Sequence, residues 1–159
     1  MAQFPEKLYV AHRLDKEFSG AILFALKEAT HKFLTQQFSE HTVDKTYIAL
    51  THGAIQSESS IIDKPLREFG SGRVGVDAER GKPSLTEFRV MERFGAYTLI
   101  EVYARTGRRH QIRAHLYSIG HPLVGDLVRR QDGAKPVSAR HATFAASHLP
   151  ASVGRVGHS

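Results

Sequence analysis

The sequence predicts an α+β fold built on a mixed, largely antiparallel sheet with packed helices. Three observations lead there: strand-like runs paired by short turns, two segments of helical periodicity set between them, and a length of 159 residues, enough for one core. A single domain is expected over 1–150, with 151–159 as a disordered tail.

The elements follow in order. The apolar runs Leu8-Tyr9-Val10-Ala11 and Ala21-Ile22-Leu23-Phe24-Ala25 read as strands, and between them lies the charged stretch from His12 to Gly20, with Asp15 near its centre. A polar loop held between two strands is how a rigid scaffold presents a reactive side chain. The segment 27–38 reads as a helix, because Ala29, Phe33, Leu34 and Phe38 recur at three- and four-residue spacing. The β-favouring series Thr46-Tyr47-Ile48-Ala49-Leu50 predicts a strand over 43–50, closed by a turn at His52-Gly53. Another strand is expected over 60–66, followed by a Gly-rich, charged, exposed loop or hairpin over 68–82. The runs 85–94 and 97–104, separated by Gly95-Ala96, carry a hairpin pattern. Beyond Thr106 a helix is expected, with Ile112, Leu116 and Ile119 on one stripe and Arg109, Arg113 and Tyr117 on a neighbouring one. Gly120-His121-Pro122 ends it. A polar loop over 129–135 and a last strand within 137–147 complete the series.

Composition narrows the chemistry. Lysine and arginine number 22 against 16 acids, a formal charge of +6 that favours a polyanionic partner. There is no cysteine, so disulfides, thiolate metal sites and a cysteine nucleophile are excluded. The first residues lack the apolar core of a signal peptide, and no run approaches the roughly 18 apolar residues of a membrane span. A cytoplasmic protein is the expectation.

Two local features could carry function. The stretch Arg105 to Arg113 gathers Arg105, Arg108, Arg109, His110 and Arg113 where a strand hands over to a helix. A helix N-terminus, the close backbone approach that Gly107 permits and several guanidinium groups suit phosphate, although a solvated basic face would look the same. The second feature is Asp15, which taken alone reads as a surface ion pair with Arg13 of little energetic consequence. His110 and His115 do not have the i, i+4 spacing of a helical zinc pair, and phosphate-loop, dinucleotide-binding and Gly-x-Ser-x-Gly patterns are absent.

Taken together, four ordered blocks resemble the RluA-type pseudouridine synthases. They are His12-Arg13-Leu14-Asp15 with Ser19-Gly20, Lys45-Thr46-Tyr47, Thr106 through His115, and Gly120-His121-Pro122-Leu123-Val124-Gly125-Asp126. The resemblance covers about residues 10 to 150 and implies a pseudouridine synthase catalytic-domain fold. It implies isomerisation of uridine in RNA, ribosomal or transfer, to pseudouridine, with no cofactor and no metal. Residue by residue, it implies that Asp15 is the catalytic carboxylate, acting at C1′ or C2′ of the ribose, and that Arg113 pairs with it. It implies that Tyr47 packs on the target base and helps proton transfer at C5, and that Arg13 enters the stack in place of the extruded uridine. Arg108, Arg109 and His110 become phosphate and backbone contacts.

Two departures stand out. Phe18 occupies a position usually held by Thr, and only eleven residues precede His12, where the family has further strands with an Asn-Lys-Pro-x-Gly segment. An N-terminally short domain without a separate RNA-binding domain is therefore expected, and a catalytically weak or inactive RNA-binding module is the alternative reading.

Overall fold

The computed structural model describes residues 7–15, 18–70, 72–126 and 142–148. In chain order the elements are β1 (Tyr9–Val10), β2 (Phe18–Gly20), β3 (Phe24–Ala25), α1 (Glu28–Ser39), β4 (Asp44–His52), β5 (Ser59–Asp63), β6 (Leu66–Glu68), β7 (Val74–Val76), β8 (Leu85–Phe94), β9 (Tyr97–Ala104), α2 (Gln111–Ser118) and β10 (Ala142–His148).

Alternation builds the centre. Thr86, Phe88 and Val90 of β8 and Thr98, Ile100 and Val102 of β9 are buried at every second position, so one face of this hairpin is core. Its turn is Gly95-Ala96, as expected; Phe94 pairs with Tyr97 and Gly95 sits at φ +57°, a left-handed conformation that glycine adopts without penalty. The main sheet has the order β2-β10-β4-β9-β8-β5. Every pair in it is antiparallel except β2 with β10, which gives the mixed, largely antiparallel sheet the sequence predicts. α2 covers this face through Ile112 and Leu116, which join Ala49, Ile62, Phe88, Ile100 and Val102 in one apolar cluster.

A second, smaller layer forms from β1 and β3, paired antiparallel, with α1 across them; Ala11, Ala25 and Leu34 make its core. The chain between Val10 and Phe18 therefore crosses from one apolar cluster to the other. Ala11 is buried in the small one and Phe18 packs against the large one.

Three details differ from the sequence expectation. The polar stretch from His12 ends in strand β2, whose partner β10 lies far along the chain. The strand expected over 60–66 is two, β5 and β6, because Pro65 has no N–H to continue a ladder. The Gly-rich segment holds β7, which pairs with β6 and buries Val74. The polar loop at 129–135, the start of the last strand at 137–141 and the tail at 151–159 lie outside the described residues. No helix among the described residues is long and apolar enough to cross a membrane.

Candidate active site

The loop that carries Asp15 is held at both ends. The Ala11 N–H donates to the Leu23 carbonyl at 3.1 Å, and the Phe18 N–H closes a turn on the Asp15 carbonyl at 2.9 Å. His12 stacks on Phe38 of α1, with ring centroids 4.5 Å apart, while its Nε2 accepts the Leu23 N–H at 3.2 Å. That bond requires an unprotonated Nε2, and burial lowers the pKa of His12 in the same sense.

The opposite wall is the entry to α2, wired by Gln111. Its Oε1 accepts from the Thr106 hydroxyl at 2.6 Å and from the Arg108 N–H at 3.0 Å, and its Nε2 donates to the Leu85 carbonyl and the Thr86 hydroxyl, both at 2.9 Å. Thr106 in turn accepts the Leu85 N–H at 3.0 Å. These bonds tie the turn before α2 to β8 and fix where His110 emerges. His110 caps the helix in the left-handed region, φ +50°. Such a conformation is uncommon away from glycine and is a marker of functional constraint.

The His110 ring meets the carboxylate. Its Nδ1 lies 2.6 Å from Asp15 Oδ2 and 3.2 Å from Arg113 Nη1. One ring nitrogen cannot both donate to the carboxylate and accept from the guanidinium. The shorter contact to a charged acceptor selects the Nδ1–H tautomer, so His110 donates to Asp15. Arg113, with a side chain 6% exposed, forks onto Asp126: Nε donates to Oδ2 at 3.0 Å and Nη2 to Oδ1 at 2.7 Å.

The contacts run from Asp15 to His110, to Arg113, to Asp126, with the His110 ring against both the carboxylate and the guanidinium that were expected to pair. His110, expected among the phosphate contacts, has its Nδ1 on the carboxylate instead. Arg109 forms an ion pair with Glu68, and Arg108 is tethered by its Nε to the Pro83 carbonyl at 3.3 Å.

Tyr47 reaches the same cleft from β4. Ala49 and Thr51 point into the core, and the alternate positions Tyr47 and Lys45 continue along that face to the core's rim and out into the cleft. Phe18 meets Tyr47 edge-on at 6.2 Å, so the departure at position 18 supplies an aromatic wall. Burial, followed by the charge of Asp15, pushes the Tyr47 phenol up to about 12. Asp15, Arg13, Tyr47, Arg108, Arg109, His110 and Arg113 all line one cleft of about 580 Å³, in which Asp15 is the single acid among the lining residues. Among the described residues, no three metal-ligating side chains gather.

Gln111 and Lys45 line the cleft and Asp126 holds Arg113 in it, residues whose part the sequence did not reveal. For Asp126 a signal existed: a buried arginine demands a carboxylate.

The comparisons with known proteins agree with one another. A family model described as RNA pseudouridylate synthase matches residues 2–118. An uncharacterized RNA pseudouridine synthase, YlyB, of Bacillus subtilis is 40% identical over 118 residues, 74% of this chain and 39% of that protein. The ribosomal large subunit pseudouridine synthase C of Pasteurella multocida is 42% identical over 122 residues, 75% of this chain and 37% of that protein. The chain thus spans well under half the length of these curated relatives. Among solved structures, human RNA pseudouridylate synthase domain containing 1 aligns with TM-score 0.70 and 34% identity, over 76% of this chain and 54% of that one.

Proposed function

This chain belongs to the RNA pseudouridylate synthase family, and on that premise we propose that it isomerises uridine in RNA to pseudouridine with Asp15 as the catalytic carboxylate. The observation that carries the reading is the cleft: a single acid, Asp15, held by a hydrogen bond on Oδ2 and lying among cationic side chains suited to a polyanion. Oδ1 of Asp15 has no partner among the described residues, so it is the oxygen free to meet the ribose.

The reaction breaks the bond between C1′ and N1, turns the uracil and forms a bond between C1′ and C5. The proton on C5 leaves and N1 takes one up. Asp15 acts in its ionised form, either attacking C1′ or removing the proton at C2′. A hydrogen bond from His110 fixes the carboxylate plane. Tyr47 enters with its proton on, since at pH 7 a phenol of pKa about 12 is ionised to roughly one part in 10⁵. It acts first as a wall for the uracil, and any help at C5 requires its proton to leave. Arg13, which lines the cleft beside Asp15, fills the gap left by the extruded base in this reading. The relatives named as ribosomal large subunit synthases favour ribosomal RNA as the substrate class.

Because the C5 proton is released, RNA labelled with tritium at uridine C5 gives a direct assay. Wild-type chain is expected to release tritium from unmodified cellular RNA, and Asp15→Asn to fall to background while still binding. A wild-type chain that binds RNA and releases nothing would replace this reading with the inactive binding module.

A further inference from the structure

The cations in the cleft are not equally committed. Arg109 is paired with Glu68 and Arg113 with Asp126. Lys45 is half-buried, lines the cleft and, among the described residues, has neither a hydrogen-bond nor an ion-pair partner. An ammonium removed from water without a counter-charge is destabilising, and desolvation accordingly lowers its pKa.

Lys45 is not alone. The His41 ring packs over Gly107 so closely that a Cβ there would stand 2.8 Å from its Cε1, and the same point lies 3.6 Å from Lys45 Nζ. His41 itself has φ +57°, a second residue other than glycine in the left-handed region. Arg108 adjoins Gly107, tethered through Nε, and the charges of Lys45 and Arg108 both act on the His41 ring. Gly107 therefore lets its backbone, an imidazole and an ammonium come close together beside the guanidinium residue Arg108, with no carboxylate engaged by any of the three side chains among the described residues.

The position relative to Tyr47 identifies the anion. Lys45 and Tyr47 lie two residues apart on one strand face, about 7 Å along the strand, a separation suited to a base on Tyr47 and a backbone phosphate of the same strand on Lys45. We propose that Lys45, His41 and Arg108 around Gly107 form a binding corner for one RNA backbone phosphate next to the target uridine. This rests on the RNA-modifying reading of the cleft and assigns part of it a ligand.

Binding of a fluorescent ten-residue oligouridylate, measured by anisotropy over a range of salt concentrations, tests the corner. Lys45→Met and Arg108→Gln are each expected to weaken binding about tenfold at fixed salt and to reduce the slope of log K against log salt by about 0.7, the value for one phosphate contact on a single strand. Lys32→Gln, which removes the same charge from an exposed pair with Glu28 on α1, is expected to do neither. The Tm of Lys45→Met is expected to equal or exceed that of the wild type, because an unpaired desolvated charge has been removed. Wild-type affinity and slope in Lys45→Met would overturn the proposal, and so would a fall in Tm that accounts for the lost binding. Tritium release by the wild type is independent of this outcome: release with an unaltered Lys45→Met removes the corner alone, and no release with an intact corner removes the enzymatic reading alone.

Discussion

At the scale of single residues, Asp15 was legible because it is the acid in a polar loop between two apolar runs, a local pattern. Its partner was not. His110 lies 95 positions away, and the contact depends on a left-handed backbone at the helix cap that no periodicity announces. Nor did the sequence show that Arg113 is buried and forks onto Asp126, since a buried guanidinium takes the carboxylate with the best fork geometry. In the proposed mechanism His110 is a positioning residue, and its variants separate orientation from packing. His110→Ala removes the donor and is expected to lower kcat about 10²-fold with little change in KM, the scale of a small misplacement of a reacting group. His110→Asn is expected to recover most of that loss, because Asn tolerates the left-handed region and its side-chain amide can donate to Asp15 Oδ2. Single-turnover tritium release measures both, and an Asn variant no better than Ala would count against an orienting hydrogen bond.

Among the elements, those read correctly from sequence are the ones whose patterns close locally: the β8–β9 hairpin with its Gly95 turn, α1 and β4. Strand β2 escaped notice because three residues show no alternation and their pairing comes from β10. Helix α2 showed its apolar stripe, but nothing in the sequence revealed that His115 is also fully buried in it. His115 Nε2–H donates to the Lys64 carbonyl at 2.9 Å and Nδ1 accepts from the Thr86 hydroxyl at 2.8 Å, so the neutral ring is fully satisfied and clamps α2 to β8 and the end of β5. Protonation would place a hydrogen on Nδ1 and break the Thr86 bond as arranged. Burial holds the His115 pKa below its ordinary 6.5. Between the folded and ordinary values the unfolded chain binds a proton that the folded chain refuses, so stability falls as pH drops below about 6.5. Urea unfolding from pH 7.5 to 5 is expected to show this decline. His12 and His41 are shifted in the same direction and add to it, so the share lost in His115→Gln is the part that belongs to the α2 clamp. An unchanged pH slope in that variant would mean that His115 is not the titrating group.

For the molecule as a whole, the site depends on the joining of two layers. The Asp15 loop leaves the small β1–β3 sheet and is received by β2, an edge strand whose single neighbour among the described residues is β10. β10 also pairs with β4, and its Phe144 lies opposite Tyr47. One strand, distant in sequence from every chemical residue, therefore supplies the ladder for both the carboxylate loop and the tyrosine strand. The family match ends at residue 118, short of this strand. Removing residues 142–159 should expose the edge of β4, release β2 and leave the Asp15 loop without its ladder on the Phe18 side. The β8–β9 hairpin and α2 retain their own contacts. The expected result is partial rather than complete unfolding: a broader urea transition with a reduced m-value, retained helical circular dichroism, and tritium release at background. A truncated chain that unfolds in one sharp transition at the wild-type midpoint would show that β10 does not hold the two halves of the site together.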